Sequence, residues 1–305
     1  MQDILSNAVE YARTFIRRGK VATYIPELAK ANPDHLGVCV HTVDGQTHTA
    51  GDIAIPFTIQ SISKIFSLTY VINHFGQKKL LNHIGLEPSG NPFYSLVQLE
   101  YEDGKPRNPF INAGAIAVTS LIEGASAAEK FDRLLEFIKK ISGNFDLTMD
   151  ETIYRSEYQT SHRNRAVGHF MKHFGKIDGD VDAAVDAYFR QCSIVMTCEE
   201  LAHACIFLAN DGKNSNSDQM ITTTDTVKFV NAMMTMCGLY DGSGAFACRV
   251  GLPGKSGVGG GIVAVVPGEM TIATFGPALD EKGNSIGGIK ILENVSHDLG
   301  LSLFG

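Results

Sequence analysis

The sequence has no basic cluster long enough to form a nucleic-acid surface. Its 305 residues carry a formal net charge of −7, and the isoelectric point is about 5.8. The densest basic stretch, residues 17–20, is short and flanks a predicted helix, which is typical of a solvated helix end. Proteins that bind nucleic acid present a dense cationic face to the phosphates. We therefore expect no nucleic-acid partner.

Long apolar runs are also missing. The longest, such as residues 261–266, are far shorter than the roughly 20 residues that a helix needs to span a bilayer. Residues 1–10 have neither the basic n-region nor the apolar h-region of a secretory signal. We therefore expect a soluble cytoplasmic protein without a membrane partner. A hydrophobic fraction of 44% predicts a large core, in one domain or in two interleaved subdomains.

Metal-binding and disulfide patterns are missing as well. None of the six cysteines, at positions 39, 192, 198, 205, 237 and 248, forms a Cys-x-x-Cys pair, so buried free thiols in a reducing compartment are expected. Cys198 and Cys205 are one heptad apart on a predicted helix, which favours the core. His169 and His173 have no acidic third ligand near them in sequence. We expect them on an exposed helix face and predict no metal site.

The order of predicted elements is helix, strands, a long helical block, strands and helix. The first helix is amphipathic, with apolar positions Ile4, Val9, Tyr11 and Phe15. Two strands, 36–42 and 46–51, are joined by an Asp-Gly turn. A second predicted hairpin covers residues 260–275 and turns at Pro267-Gly268, and a last helix follows it.

This order predicts an α+β fold in which strands from both ends of the chain share one antiparallel sheet. The sheet lobe is expected to hold residues of about 1–60 and 245–305, and the helical lobe residues of about 61–244. The whole chain, 1–305, is expected to act as a single catalytic unit.

Capping boxes mark three predicted helix starts within the helical block. They are Ser126 with Glu129, Thr148 with Glu151, and Thr197 with Glu200. Breaks between helices are predicted at Asn91-Pro92 and at 210–212.

The most informative segment places Ser61 three residues before Lys64, at the start of an apolar run with helical spacing. On a helix, both side chains lie on one face. Burial lowers the pKa of a lysine, and an uncharged lysine can take the proton from a serine hydroxyl. Chance alone produces this spacing about once in a chain of this length. The flanking residues therefore decide whether the spacing indicates a catalytic serine. An extended segment before Ser61 and a helix after it put the hydroxyl where the helix dipole favours negative charge.

Residues 251–261 are rich in glycine and contain Lys-Ser-Gly at 255–257. A phosphate-binding loop is excluded because its first glycine would stand at Arg249, and because a strand rather than a helix follows. The tripeptide instead matches the Lys-Thr-Gly strand that accompanies Ser-x-x-Lys in serine acyl-transfer enzymes. Its glycines allow close approach of the backbone, so the N–H of Val258 can join that of Ser61 as an oxyanion hole.

Other polar residues give no decisive signal by themselves. Glu157 and Asn164 lie in a stretch where Arg163 and Arg165 add charge, which favours a solvated helix. On the residues alone, ordinary core positions are predicted for Tyr24, Tyr188 and Tyr240.

Together these motifs resemble the serine-dependent, β-lactamase-like glutaminases of the compact bacterial type. The resemblance covers nearly the whole chain and is carried, in order, by residues 19–28, 42–46, 60–64, 87–90, 108–115, 156–157, 163–164, 186–189, 237–240 and 252–258. Such an ordered series is highly specific, and no motif position departs from the family pattern. It implies a fold like that of β-lactamases and penicillin-binding proteins, with an antiparallel sheet flanked by helices plus a mainly helical lobe.

The resemblance also implies hydrolysis of L-glutamine to L-glutamate and ammonia. Ser61 matches the family nucleophile, Lys64 matches its activating partner, and Tyr240 matches a tyrosine that assists proton transfer. Tyr24 matches a catalytic position near the serine. Lys64 and Tyr240 both stay open as the general base of each half-reaction. The positions that match substrate contacts are Ser61, Asn112, Glu157, Asn164, Tyr188, Tyr240 and Val258.

The chemistry of free glutamine is consistent with these roles. Glu157 can pair with the α-ammonium, while Asn112, Asn164 and Tyr188 can donate hydrogen bonds to the α-carboxylate. Such anchors hold the amide carbon against Ser61, so the attack becomes effectively intramolecular. No metal or organic cofactor is required, and the assembly of relatives implies a homodimer or a homotetramer.

Two other functions compete with this interpretation. A β-lactamase or a penicillin-binding enzyme would carry a Ser-Asp-Asn element, but Ser217-Asp218 is followed by Gln219. A non-catalytic amino-acid sensor would keep the pocket and lose turnover, and the intact Ser61, Lys64 and Tyr240 argue against it.

Overall fold

The computed structural model describes residues 1–90, 95–215 and 219–305. The described helices are α1 (Gln2–Arg13), α2 (Ser63–His83), α3 (Val97–Tyr101), α4 (Asn112–Ser120), α5 (Ala127–Ser142), α6 (Glu151–Thr160), α7 (His162–His173), α8 (Val181–Cys192), α9 (Cys198–Cys205), α10 (Thr224–Cys237), α11 (Ser243–Arg249) and α12 (Ile286–Leu299). The described strands are β1 (Gly37–Thr42), β2 (Thr47–Gly51), β3 (Phe57–Thr58), β4 (Val195–Met196), β5 (Gly254–Ser256), β6 (Gly261–Val266) and β7 (Met270–Phe275).

Five strands form one antiparallel sheet in the order β2-β1-β7-β6-β5. Strand β1 pairs with β7, so strands from the two ends of the chain share the sheet, as the sequence predicted. The hairpins β1–β2 and β6–β7 are also confirmed. Side chains of β6 alternate between two cores, with Ile262 and Ala264 in one, and Val263 and Val265 in the other. The fold is α+β, with helices on both faces of an antiparallel sheet.

Helices α1 and α12 cover one face of this sheet. Helix α1 buries Leu5, Ala8, Val9 and Ala12 against it. The prediction that Tyr11 lies on the apolar face is wrong, since its side chain is 47% exposed. The narrow stripe of small and aliphatic residues packs closely, and the large ring lies at its solvent edge.

The other face is covered by a helical layer in which α2 is central. The first ten residues of α2, 63–72, are all buried, including Lys64. A helix that is buried on every side belongs in the middle of a large core. At Gly76 the backbone takes φ 75°, which bends the helix after its buried part. The short strand β3, which pairs with β4, leads the chain into α2.

Of the three predicted capping boxes, only the one at Thr197 and Glu200 is complete. Ser126 caps α5, but the Glu129 carboxylate accepts from the backbone N–H of residue 125 instead. The box at Thr148 is wrong because Asp150 caps α6, accepting from the N–H groups of residues 152 and 153. A carboxylate next to the first turn satisfies two donors at once and displaces the threonine.

Several smaller predictions have clear outcomes. Cys198 and Cys205 are buried in the core, and His169 and His173 are exposed, as predicted. All six cysteines are free; five of them are buried and Cys248 is exposed. Within 1–90, 95–215 and 219–305, no helix has the length and apolarity to cross a membrane. The predicted break at Asn91-Pro92 and the Ser217-Asp218 pair lie outside the described residues.

Candidate active site

Ser61 lies at the junction of β3 and α2, in the short 3-10 turn Gln60–Ile62. The preceding residue, Gln60, has φ 47°, a left-handed backbone that costs a non-glycine residue on the order of 1–3 kcal/mol. Such strain persists only where the surrounding structure imposes it, and it is frequent at catalytic turns. Ser61 is 7% exposed, so its hydroxyl lies in a nearly closed site.

Lys64 is buried one turn further along and makes two hydrogen bonds. Its Nζ donates to the backbone oxygen of Phe110 at 2.9 Å and to Oδ1 of Asn112 at 2.8 Å. Burial lowers the pKa of Lys64 from 10.5 to about 8, although the negative charges of Cys192 and Glu157 act to raise it. Near pH 8 a substantial fraction of this lysine is therefore an uncharged amine, the form that accepts a proton.

Asn112 connects three of the predicted site residues. Its Oδ1 accepts from Lys64 and also from the hydroxyl of Tyr188, at 3.1 Å. Its Nδ2 donates to Oδ1 of Asn164, again at 3.1 Å. The sequence predicted only a contact with substrate for Asn112, whereas its amide oxygen also holds the amine of Lys64. The second N–H of the amide is a donor for a ligand.

The sequence favoured a solvated helix for Glu157 and Asn164, and this interpretation is wrong. Both side chains are buried, on two separate helices, α6 and α7, that meet at Ser161. The charged neighbours point elsewhere: Arg163 is exposed, and the guanidinium of Arg165 lies 4.4 Å from the centroid of an aromatic ring. The charged residues belong to the outer face of these helices, whereas Glu157 and Asn164 face inward.

Glu157 is a buried carboxyl group whose surroundings disfavour its charged form. Burial raises its pKa from 4.5 to about 8, although the charge of Lys64 acts in the opposite direction. Among the described residues its Oε2 has no hydrogen-bond partner. A buried carboxylate oxygen without a partner is costly. A cationic ligand at this oxygen would remove that cost.

Tyr240 lies next to Ser61 in a strained backbone conformation, with φ 54°. Burial raises its pKa to about 12, while the neighbouring hydroxyls of Ser61 and Ser256 lower it. The Nζ of Lys255 lies 4.7 Å from the centroid of the tyrosine ring. The ring of Tyr240 is therefore packed against Lys255, with Ser61 and Ser256 close to its hydroxyl.

Lys255 is a site residue to which the sequence analysis gave no role. It is fully buried, and its Nζ donates to the backbone oxygens of Gly238 at 2.9 Å and Ser256 at 2.6 Å. Burial, helped by the charge of Lys64, lowers its pKa well below 10.5. The Lys-Ser-Gly tripeptide was the available signal, but its lysine was interpreted only as part of a strand motif.

Val258 follows β5 and is flanked by two glycines that pack on the backbone leading to Ser61. A Cβ on Gly257 would lie 2.4 Å from a carbonyl oxygen of that backbone, and one on Gly259 would lie 2.2 Å from another. Only glycine allows this approach. The predicted oxyanion donor, the N–H of Val258, is thereby brought to the segment of the nucleophile.

Tyr24 reaches the same site from a loop after α1. The side chain as a whole is 54% exposed, which excludes an ordinary core position. Burial of its hydroxyl, and then the charges of Glu157 and Tyr240, raise the pKa of Tyr24 well above 10. In the described ranges, no group of three or more metal-ligating side chains is present.

Comparisons with known proteins identify the family of this chain. A family model described as Glutaminase matches residues 19–304. A glutaminase of Clostridium tetani is 50% identical over 305 residues, which is 100% of both chains. A glutaminase of Shewanella loihica is 46% identical over 303 residues and covers 99% of each chain.

A solved structure points the same way. The Bacillus subtilis glutaminase YbgJ, in a covalent complex formed by its reaction with 6-diazo-5-oxo-L-norleucine, superposes with a TM-score of 0.90 at 36% identity. The superposition covers 98% of this chain and 98% of that chain. The sequence match is full-length, the folds agree, and the chain belongs to the glutaminase family.

Proposed function

We propose that this glutaminase hydrolyses L-glutamine to L-glutamate and ammonia through an acyl-enzyme on Ser61. The observation that carries the proposal is the enclosed cluster of Ser61, the lysine amine with a lowered pKa, and the open carboxylate oxygen of Glu157. A nucleophile, a base and a cation-binding group are the parts that an amidase for a free amino acid requires. The covalent reaction of the Bacillus subtilis relative with an L-norleucine derivative supports this chemistry.

The amino-acid end of glutamine is anchored by buried polar groups. Glu157 Oε2 pairs with the α-ammonium, and the free N–H of Asn112 donates to the α-carboxylate, which lies near Asn164. Tyr188 donates to Asn112 and so supports this grip by orienting the amide. Anchoring at that end fixes the distance from the α-carbon to Ser61.

In the first half-reaction, Ser61 Oγ bonds to the carboxamide carbon and the carbon–nitrogen bond breaks. The serine proton ends on the nitrogen, which leaves as ammonia. The uncharged amine of Lys64 takes this proton, and the hydroxyl of Tyr240 next to Ser61 assists its transfer. Water then attacks the ester, the carbon–Oγ bond breaks, Ser61 regains a proton, and L-glutamate leaves.

The negative oxygen of each tetrahedral intermediate is held by backbone donors. The N–H groups of Ser61 and Val258 lie on two segments that the glycines at 257 and 259 bring together. Low exposure of the site strengthens these hydrogen bonds, because little water competes for them.

The resemblance to bacterial glutaminases, together with the features of the sequence, supports three further properties of the molecule. Residues 1–305 act as one catalytic unit, the protein is cytoplasmic, and it assembles as a homodimer or a homotetramer. Light scattering coupled to size-exclusion chromatography tests the assembly, and a monomer at micromolar concentration would contradict it.

Ammonia release from L-glutamine tests the proposed function directly. Purified protein is expected to release ammonia and to leave the β-lactam nitrocefin intact, and Ser61→Ala is expected to abolish the release. Rapid nitrocefin turnover without ammonia would identify a β-lactamase. Glutamine binding measured by calorimetry without glutamate formation would identify a sensor.

A further inference from the structure

Asn108 is a buried residue to which the sequence analysis gave no role. It lies in the turn that leads into α4, shortly before Asn112, and is 1% exposed. Its Oδ1 accepts from the backbone N–H of Phe110 at 3.0 Å and from that of Ile111 at 3.1 Å. Its Nδ2 donates to the backbone oxygen of Glu87 at 3.0 Å. One side chain therefore shapes this turn and ties it to a distant segment of the chain.

The partners of Asn108 fix the orientation of its amide. A backbone N–H only donates and a backbone carbonyl only accepts, so Oδ1 faces the turn and Nδ2 faces Glu87. The next residue, Pro109, has no N–H and a fixed φ, which suits it to such a turn. Asparagine bonds to N–H groups a few residues further along hold a turn without help from a helix or a strand.

The hydrogen bond to Ile111 acts on the peptide group that contacts Lys64. The N–H of Ile111 and the carbonyl of Phe110 belong to one planar, trans peptide group and point in opposite directions. Oδ1 of Asn108 holds the N–H end at 3.1 Å, and Nζ of Lys64 donates to the carbonyl end at 2.9 Å. Rotation of this peptide group would break both hydrogen bonds. Asn108 thus sets the direction in which the Phe110 oxygen points.

The amine of Lys64 uses two acceptors. An uncharged primary amine has two N–H donors and one lone pair. The oxygen of Phe110 takes one donor at 2.9 Å, and Oδ1 of Asn112 takes the other at 2.8 Å. With both protons held, one direction is left for the lone pair, which the proposed function assigns to the proton of Ser61. Asn112 has two further side-chain partners, whereas the carbonyl of Phe110 depends on the orientation of its peptide group.

Helix α4 packs tightly on the same turn. A Cβ on Gly114 would lie 1.9 Å from the backbone oxygen of Asn108 and 3.0 Å from Cα of Pro109, so any side chain at this position would prevent the contact. This packing fixes the path of the turn. The side chain of Asn108 fixes the direction of the peptide groups within it.

We propose that Asn108 is a positioning residue for the reaction: it directs the Phe110 carbonyl at Lys64 and so keeps the amine oriented for proton transfer. This inference rests on the proposed glutaminase function and adds to it a residue that acts through the backbone. It assigns to Asn108 an effect on turnover, because Glu157, which holds the substrate ammonium in that proposal, lies on another helix.

Asn108→Ala and Asn108→Ser form the decisive pair. A serine oxygen can accept from the same backbone N–H groups, while both variants lose the bond to Glu87. Asn108→Ala is expected to lower kcat by about tenfold or more with KM within about threefold, because small misplacements of a catalytic group carry losses of this size. Asn108→Ser is expected to keep kcat within about threefold of the wild-type value. Equal large losses in both variants, or a change confined to KM, would overturn the proposal.

The pH dependence of kcat shows whether the loss acts through Lys64. A hydrogen bond from the amine favours its charged form, so loss of the Phe110 acceptor lowers the pKa of the lysine. The acid limb of the kcat profile of Asn108→Ala is therefore expected about half a pH unit or more below that of the wild type. An unmoved limb would contradict the proposal. Titratable groups on other elements also act on this lysine, and the variant leaves them unchanged: Glu157, Cys192 and Lys255.

Asn144→Ala is the matched control, because it removes the same kind of turn outside the site. Asn144 lies between α5 and α6; its Oδ1 accepts from the N–H of Asp146 at 2.8 Å, and its Nδ2 donates to the Glu200 carboxylate at 2.5 Å. Its kcat is expected within about twofold of the wild-type value, with the acid limb unmoved. A tenfold loss there would mean that loosening of any such turn, and not the direction of the Phe110 carbonyl, sets turnover.

Asn108→Ser also covers the case in which Asn108→Ala does not fold. A folded serine variant, verified by circular dichroism, with a kcat tenfold or more below the wild type would reject the proposal by itself. If the wild type releases no ammonia, or Ser61→Ala retains activity, the proposed function itself fails. A normal kcat in Asn108→Ala alone rejects only this inference.

Discussion

The Nζ of Lys64 lies 2.8 Å from the amide oxygen of Asn112. An amide oxygen accepts the hydrogen bond without carrying a charge. A carboxylate in its place would favour the charged lysine and raise its pKa. The neutral partner orients the amine while burial lowers its pKa to about 8. The amine is therefore fixed in position and is uncharged in a substantial fraction of molecules near pH 8.

Asn112→Asp is therefore expected to move the pH dependence of kcat upward. The new carboxylate stabilises the charged form of Lys64, so the uncharged amine appears only at higher pH. We expect the acid limb of the kcat profile to shift by about one pH unit or more, because a close opposite charge shifts a pKa by 1–3 units. Steady-state kinetics between pH 6 and 10 measure the limb, and an unmoved limb would show that Lys64 does not control turnover.

The wild-type enzyme is expected to be more active at mildly alkaline than at acidic pH. Below pH 8 Lys64 holds its proton and Glu157 is increasingly neutral, so both the base and the ammonium-binding charge are lost. Values of kcat/KM, which report groups of the free enzyme, should rise from pH 6 to about pH 8. A maximum below pH 7 in buffers of constant ionic strength would contradict these assignments.

Glu157→Gln is expected to weaken binding more than it slows turnover. The amide keeps the size of the side chain but loses the charge that pairs with the α-ammonium, so KM should rise by about tenfold or more. Lys64→Ala should show the opposite pattern, with kcat lowered and KM nearly unchanged. If the two variants show the same split between kcat and KM, the assigned roles are wrong.

Glu157→Gln is also expected to stabilise the fold at alkaline pH. The folded-state pKa of about 8 lies above the unfolded value of 4.5, so Glu157 reduces the free energy of unfolding as pH rises through this interval. The glutamine variant lacks this loss, and its melting temperature should exceed that of the wild type most clearly above pH 8. Glu151→Gln, a change at an exposed position of α6, is the control and should not alter the pH dependence of melting.

Asparagine should be a poor substrate. Its side chain is one methylene shorter, so with the α-groups held by Glu157 and Asn112 the amide carbon does not reach Ser61. We expect kcat/KM for glutamine to exceed that for asparagine by about 100-fold, near the upper limit for a single methylene. Equal ammonia release from both amino acids would refute anchoring at the α-groups.

Local patterns predicted the sheet well, and they predicted the position of Ser61 at the start of a buried helix. The spacing of Ser61 and Lys64, and the Asp-Gly turn between β1 and β2, are local features whose geometry depends on a few neighbouring residues. The helix start at Thr148 was wrong because two residues along the chain competed for the same donors, and the sequence pattern did not rank Asp150 first.

Contacts between distant residues account for what the sequence did not predict. Glu157 is polar and lies among charged neighbours, so only its packing against other helices reveals that it is buried. Asn108 donates to the backbone of Glu87 across 21 residues of sequence, and no periodicity connects the two. Lys255 stood in a recognised motif, yet its position over the ring of Tyr240 depends on the fold of two separate segments.

The most direct test of the account is to locate the covalent adduct formed with 6-diazo-5-oxo-L-norleucine. Incubated protein is digested, and the modified residue is identified by mass spectrometry. The account predicts one adduct per chain, on Ser61, and no adduct in Ser61→Ala under the same conditions. An adduct on any other residue, or unchanged labelling of Ser61→Ala, would contradict the claim that this hydroxyl is the nucleophile.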